Sequence, residues 1–268
     1  MPRLQGIRSA ALAACVGACC AMADTPVENV DHFGRLPGQT VEILPGELFD
    51  EFHAEQARPV LGYKDGETWR ALVCAQECRL EWVKIRTHAT TVQPYDGEPI
   101  AGETMTLDHR PDGTLIALFR DLPGKPQAKP PTTLHAGMQQ YPAARSPGSM
   151  EIDIPRNGES PLRVTPRLPR DDPGALNIWL EGGPQRQLLG AVPLDGIVGF
   201  AGQARGPRLL QWAGDLDGDG KVDFVMSFSS RMGEQQSATL FLSSAARAGE
   251  IVRPVATFGY FPVESPGC

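Results

Sequence analysis

Residues 209–228, LLQWAGDLDGDGKVDFVMSF, are the part of the sequence that decides the predicted fold. The centre of this stretch is rich in aspartate and glycine. Both flanks are apolar, contain aromatic residues and show no helical period, which is typical of β-strands. The stretch therefore predicts a strand, a tight acidic loop and a second strand.

The acidic loop carries four aspartates at positions 1, 3, 5 and 9 of nine residues, and these are Asp215, Asp217, Asp219 and Asp223. Two carboxylates about 4 Å apart repel each other by roughly 4 kcal/mol at an effective dielectric constant of 20. A hard divalent cation removes this repulsion, and Ca²⁺ suits the loop because it accepts many oxygen ligands with tolerant geometry. Gly220, at position 6, permits the sharp turn that such a loop needs. The alternative is an exposed acidic turn that binds no ion.

The pattern Asp-x-Asp-x-Asp-Gly-x-x-Asp resembles the calcium loops of FG-GAP/VCBS-type repeats and, more loosely, those of EF-hands and dockerins. An EF-hand has a bidentate glutamate at position 12, where this sequence has Met226. Repeats of this type occur once per blade in β-propellers, and the sequence contains the pattern once, so a full propeller is not expected. The resemblance implies one bound Ca²⁺, with ligands from the side chains of Asp215, Asp217, Asp219 and Asp223 and from the backbone carbonyl of Lys221.

The rest of the chain consists mainly of short strand patterns separated by turns rich in glycine and proline. The 29 glycines and 25 prolines are about a fifth of the 268 residues. This fraction is below the level that indicates a low-complexity chain, so the protein is expected to fold. We predict an all-β protein with sandwich-like or barrel-like sheets, in one domain or two lobes, with the calcium loop between strands near the C-terminus.

Two hairpins are predicted in the first half of the chain. The first pairs residues 68–73 with residues 80–87. The second pairs residues 104–107 with residues 115–119 through a turn at 110–113, where proline, aspartate and glycine follow one another.

A proline-rich segment, residues 123–131, separates the two halves of the sequence. Four prolines in nine residues exclude a helix interior or a central strand. We therefore predict a semi-rigid linker or crossing loop there. It would divide the chain into an N-terminal mostly-β domain, residues 24–122, and a C-terminal β domain, residues 132–268.

The cysteines of the first predicted hairpin suggest a disulfide. Cys74 and Cys78 flank a three-residue loop, and residues that face each other across such a loop are within disulfide reach. Zinc is the alternative partner for a Cys-x₃-Cys pair, but it requires further ligands, and His88 is the only histidine nearby in the sequence. Cys268 remains outside this pair.

The N-terminal segment, residues 1–23, has the pattern of a secretory signal peptide. Two arginines precede a short apolar run, and an Ala-x-Ala cleavage site precedes Asp24. The alternative is a lipoprotein that is acylated at Cys15 or Cys19. We therefore expect a periplasmic or secreted protein, with a lipid anchor as the alternative, and no segment is long and apolar enough to predict a membrane-spanning helix.

The charge balance makes a nucleic-acid partner unexpected. The net charge is −7, and no basic stripe interrupts the acidic surplus, so a phosphate backbone would be repelled. The C-terminal tail, from Thr239 through Gly267-Cys268, is similar to the ends of exported proteins of Gram-negative bacteria. This resemblance implies a location in the cell envelope.

No catalytic motif appears in the sequence, which lacks Gly-x-Ser-x-Gly, His-Glu-x-x-His, P-loop and Gly-x-Gly-x-x-Gly patterns. We expect an exported calcium-binding β protein without enzymatic activity, with a structural role or a protein or glycan ligand. One alternative is a secreted hydrolase of envelope or extracellular polymers with a structural calcium ion. Another is a calcium-dependent adhesion or assembly module. The tryptophans are expected in the core, with a sugar-stacking surface as the alternative, and they are Trp69, Trp82, Trp179 and Trp212.

Overall fold

A computed structural model describes most of the chain between residues 35 and 260, and the described residues form β-strands and one 3₁₀ helix, Gly46–Phe49. All neighbouring strands pair antiparallel, so the all-β prediction is confirmed. The described residues are 35–50, 54, 56–93, 98–135, 151–156, 159–169, 175–193, 209–228 and 236–260. The strands are β1 Glu42–Pro45, β2 Arg58–Pro59, β3 Thr68–Cys74, β4 Cys78–Val92, β5 Ile100–Leu107, β6 Thr114–Arg120, β7 Thr132–His135, β8 Ile152–Arg156, β9 Glu159–Arg167, β10 Ala175–Gly182, β11 Gln185–Pro193, β12 Leu210–Gly214, β13 Asp223–Met226, β14 Gln236–Leu242 and β15 Arg253–Tyr260.

The strands are arranged in three sheets. The first has six strands in the order β1-β6-β3-β4-β5-β2, the second has four in the order β11-β10-β9-β8, and the third has five in the order β15-β14-β13-β12-β7. The long strand β4 pairs with β3 through its first half and with β5 through its second half. One of the sheets is curled into a half-barrel.

The structure confirms the first predicted hairpin and corrects the second. Strands β3 and β4 pair directly, but β5 and β6 do not pair with each other. Strand β6 lies between β1 and β3, and β5 lies between β4 and β2. The connection from β5 to β6, residues 108–113, is short, yet it leads from one side of the β3–β4 pair to the other.

The five-stranded sheet is the middle layer, with one core on each of its faces. Neighbouring side chains of β13 alternate between the cores: Val225 packs in the core shared with the six-stranded sheet. Phe224 and Met226 pack in the core shared with the four-stranded sheet. Because both faces are covered, β13 is apolar along its length after Asp223.

Side chains from both sides of residues 123–131 share the first core. Trp69 and Phe119 come from the N-terminal half, and Trp212 and Phe258 come from the C-terminal half. The division into two folding units stays a prediction. Two such units would have to share this common core.

The proline-rich segment has no regular secondary structure, as its prolines predict. It lies along the first hairpin, where the Leu80 amide donates a hydrogen bond of 2.7 Å to the Ala128 carbonyl. Lys129 also forms an exposed ion pair of 3.0 Å with Glu77. The same segment reaches the acidic loop at Asp215, whose amide donates to the Pro131 carbonyl at 2.8 Å. The segment therefore connects the hairpin and the loop by direct contacts.

The tryptophans divide between core and surface. Trp69 and Trp212 are fully buried, which confirms core packing for both and makes them unavailable for sugar stacking. Trp82 is 61% exposed, and the guanidinium of Arg70 lies 4.5 Å from its ring centroid. Trp179 is half-buried on β10.

Several predictions fall outside the described residues. They concern the signal peptide, the lipid-anchor cysteines Cys15 and Cys19, and Cys268. Within the described part of the chain, no helix has the length and apolar character needed to cross a membrane.

Candidate metal centre

The acidic loop, residues 215–222, joins strands β12 and β13. The two strands pair antiparallel, and Gly214 and Asp223 are the pair next to the loop. Two apolar side chains hold the loop from opposite sides: Leu216 is buried in the first core, and Val222 packs against the second. Gly218 and Gly220 have φ angles of 82° and 84°, which glycine adopts without a steric penalty. Packing of Leu216 and Val222 therefore fixes the loop on both sides of residues 217–221.

Three of the four loop aspartates converge. Asp215, Asp217 and Asp223 each place a carboxylate oxygen within 4.8 Å of the others, an arrangement that could hold a metal ion. Asp223 is 0% exposed and Asp217 is 5% exposed, while Asp215 is half-buried. The identity of the ion stays a prediction from the sequence.

Asp215 organises the loop backbone around its carboxylate. One oxygen accepts hydrogen bonds from the Gly218 amide at 2.8 Å and the Asp219 amide at 3.1 Å. The other accepts from the Gly220 amide at 3.0 Å. These bonds wrap the chain around the first aspartate, so the cluster is preorganised by the loop itself.

Asp223 links three parts of the polypeptide. Its carboxylate accepts hydrogen bonds from the Leu216 amide at 2.8 Å and from the amide and hydroxyl of Ser243 at 2.9 and 3.0 Å. Burial, with a smaller contribution from the charge of Asp217, raises the pKa of Asp223 to about 7 against the lowering effect of these hydrogen bonds. A cation in the cluster would favour the ionised carboxylate.

Asp219 lies at the exposed side of the cluster. Its carboxylate accepts a hydrogen bond of 2.8 Å from the Lys221 amide and one of 3.1 Å from the Ser243 hydroxyl. That hydroxyl also lies 3.0 Å from Asp223, so it bridges the two carboxylates. The Asp219 carboxylate is not in the group of three converging aspartates. The Asp219 side chain and the Lys221 carbonyl stay predicted ligands.

Sequence reasoning missed Ser243 and Ser244, which follow β14 directly. The Ser244 hydroxyl donates a short hydrogen bond to Asp217, and Ser243 contacts Asp219 and Asp223. The two serines reach the loop because β14 pairs with β13. Adjacent hydroxyl residues at the end of an apolar strand are the only local signal that could have indicated them.

The cysteine prediction is confirmed, since Cys74 and Cys78 form a disulfide and face each other in the β3–β4 register. A disulfide is compatible with an extracytoplasmic location. His88, the histidine considered from sequence, is exposed on β4 and faces Thr104. The histidine that lies beside the two sulfur atoms is His135 of β7.

Comparison of the whole chain with protein-family models, with curated proteins and with solved structures finds no match. The fold and the acidic cluster therefore define the class, which is an all-β protein with a disulfide and a candidate metal site. The particular function is inferred from the site alone.

Replacing Gly124 by alanine tests whether the proline-rich segment supports the loop. Gly124 has a φ of 74°, and a Cβ atom there would lie 2.7 Å from the Asp217 carbonyl oxygen. We expect Gly124→Ala to lower the free energy of unfolding by more than the roughly 1–2 kcal/mol of left-handed backbone strain. Urea unfolding measures the change. Gly62→Ala is the matched control, since Gly62 has a φ of 85° and open space around its Cβ position, and equal losses in both variants would contradict the contact.

Proposed function

We propose that the acidic loop binds one Ca²⁺ and that the ion has a structural role in an exported, non-enzymatic β protein. The converging carboxylates of Asp215, Asp217 and Asp223 are the observation that carries the proposal. Asp219 and the Lys221 carbonyl would complete the oxygen ligands, as the resemblance to FG-GAP/VCBS-type loops implies. The proposed location is the periplasm or the extracellular space, which the disulfide supports.

The charge balance of the cluster supports a cation. Ion pairs elsewhere in the protein neutralise carboxylates such as Glu42, Glu67 and Asp153. Across the described ranges, the four loop aspartates form no ion pair with lysine or arginine. Two ionised carboxylates about 4 Å apart cost roughly 4 kcal/mol at an effective dielectric constant of 20, and a divalent ion offsets that cost. All-oxygen ligands favour Ca²⁺ over soft transition metals.

The burial of the cluster supports a structural role. Asp217 and Asp223 are almost fully enclosed, so an ion between them would have little contact with an external substrate. Both aspartates are hydrogen-bonded to serines after β14, so the ion would fix the β12–β13 loop to the end of β14. We also propose that the protein with its ion bound has a protein or glycan partner. A hydrolase and an adhesion module are the alternatives.

Isothermal titration of calcium into EDTA-treated protein tests the proposal directly. We expect one site in the wild type and a loss of affinity of at least about tenfold in Asp217→Asn, because the substitution removes a charge from an enclosed ligand. Asp112→Asn is the matched control, since Asp112 is an exposed turn residue outside the cluster, and it should bind calcium as the wild type does.

Two results would contradict the calcium proposal. One is the absence of a binding isotherm for the wild-type protein in the millimolar range of extracellular calcium modules. The other is unchanged affinity in Asp217→Asn, which would place the bound ion elsewhere in the chain.

A further inference from the structure

A second cluster of potential metal ligands lies at the closed end of the β3–β4 hairpin. Ligand atoms of Cys74, Cys78 and His135 all lie within 4.8 Å of one another. The three residues are 1%, 2% and 4% exposed, so the cluster is enclosed by the protein. It contains sulfur and nitrogen atoms, unlike the oxygen cluster of the acidic loop.

The fold brings His135 to the cysteines across a long stretch of sequence. The proline-rich segment follows the hairpin through the Leu80–Ala128 hydrogen bond and the Lys129–Glu77 ion pair. The chain then enters β7, whose last residue, His135, pairs with Trp212 at the edge of the five-stranded sheet. His135 is therefore held beside the hairpin by the contacts of the proline-rich segment and by the pairing of β7 with β12.

The chemistry of the cluster depends on the oxidation state of its sulfur atoms. In the disulfide, the two sulfurs are bonded to each other, and neither is a thiolate that could bind a metal ion. A dithiol reductant transfers two electrons and two protons to the disulfide, which yields two protein thiols and the oxidised reductant. Two thiolates and an imidazole are three ligands that zinc accepts together, with water in the fourth tetrahedral position.

The neutral imidazole is the form of histidine that binds metals, and His135 is enclosed by the protein with a ring nitrogen beside the two sulfur atoms. The residues of the hairpin turn, Ala75, Gln76 and Glu77, are exposed. Opening of this turn would give a reductant or an ion access to the sulfurs. The cluster is thus enclosed but lies directly under the surface.

We propose that reduction of the Cys74–Cys78 disulfide creates a site for Zn²⁺, formed by both thiolates and His135. Zinc displaces the two thiol protons into solvent and occupies the position between the three ligand atoms. The disulfide and the zinc-bound form use the same two sulfurs and exclude each other. The site is separate from the acidic loop and does not depend on calcium binding there.

Cobalt titration of the reduced protein tests the proposal, because Co²⁺ bound by thiolates gives an intense charge-transfer absorbance in the near ultraviolet. The protein is reduced with a phosphine, kept anaerobic and saturated with calcium to occupy the acidic loop. We expect the absorbance to saturate at one equivalent of Co²⁺ and to disappear when Zn²⁺ is added. The oxidised protein should give no such absorbance.

Variants assign the ligands. Cys74→Ser/Cys78→Ser keeps every other cysteine of the chain and should lose the absorbance. His135→Gln should weaken Zn²⁺ binding at least about tenfold, as loss of even a supporting group does at other sites. His88→Gln is the matched control, an exposed histidine on β4, and should bind Zn²⁺ as the wild type does.

A second measurement keeps the test independent of how the variants fold. X-ray absorption at the zinc edge of the reduced wild-type protein should show two sulfur neighbours and at least one imidazole nitrogen. A first shell with oxygen or nitrogen only would overturn the proposal. So would cobalt–thiolate absorbance in the double cysteine variant, or wild-type zinc affinity in a folded His135→Gln.

Discussion

Removal of calcium with EDTA is expected to lower the melting temperature by about 5–10 °C relative to millimolar CaCl₂. Four carboxylates in a loop closed by strands suggest a dissociation constant in the tighter half of the range for sensors and extracellular modules. Millimolar calcium would then exceed that constant by at least about 100-fold, which stabilises the folded state by about 2.7 kcal/mol or more. For a chain of this size, each kcal/mol is worth about 2–4 °C.

Scanning calorimetry in the two buffers measures the shift, and aspartate variants locate it. The shift should be largely lost in Asp217→Ala, whose carboxylate is in the converging group, and reduced in Asp219→Ala. Asp112→Asn should keep the full shift. Equal melting temperatures of the wild type in EDTA and in calcium would falsify the calcium proposal, and a shift that survives both alanine substitutions would move the ion elsewhere.

Replacement of Glu47 by glutamine is expected to raise the free energy of unfolding at pH 8 by about 2–3 kcal/mol. Desolvation of the half-buried Glu47 side chain, with a smaller contribution from the charge of Asp50, raises its pKa from 4.5 to about 7. The folded state therefore prefers the protonated carboxyl. The resulting stabilisation is fully present below about pH 4.5 and is lost as the pH rises through about 7.

Urea unfolding of wild type and Glu47→Gln between pH 4.5 and 8 checks this sign and size. The two proteins should differ little at the acidic end, and the variant should become the more stable one as the pH rises, since each pKa unit corresponds to about 1.4 kcal/mol. Other titrating groups, Asp223 among them, are common to both proteins and cancel in the difference. Glu98→Gln, at an exposed position, should show no such divergence. A difference between wild type and Glu47→Gln that does not change with pH would refute the assignment.

The candidate metal site and the disulfide show which contacts can be predicted from residues that are close together in the sequence. The four loop aspartates were predicted as ligands because a nine-residue loop keeps them close together, and three of them, Asp215, Asp217 and Asp223, converge in the structure. The Cys74–Cys78 pair was identified because a short hairpin brings its ends together. In both cases, the atoms that meet are only a few residues apart, and backbone geometry limits the choices.

The partners from other strands were not identified. Ser243 meets Asp223 from 20 residues away and Asp219 from 24 residues away, through the pairing of β13 with β14. His135 meets the cysteines through the path of the proline-rich segment and the pairing of β7 with β12. The adjacent serines at the end of β14 are the only local signal for the first contact, and His135 leaves none, because the partner of a hydroxyl or imidazole group depends on strand pairing.

The sequence by itself determined the all-β class, the first hairpin with its disulfide, and the acidic loop between two strands. These follow from side-chain period, turn residues and spacing, which act over a few residues. Only the tertiary structure decided that β6 pairs with β3 and that the five-stranded sheet is buried on both faces. It also decided that three aspartates converge with two serines beside them. Strand order depends on which apolar faces can be buried together, and that is a property of the whole chain, because short segments of similar pattern can pair in several ways.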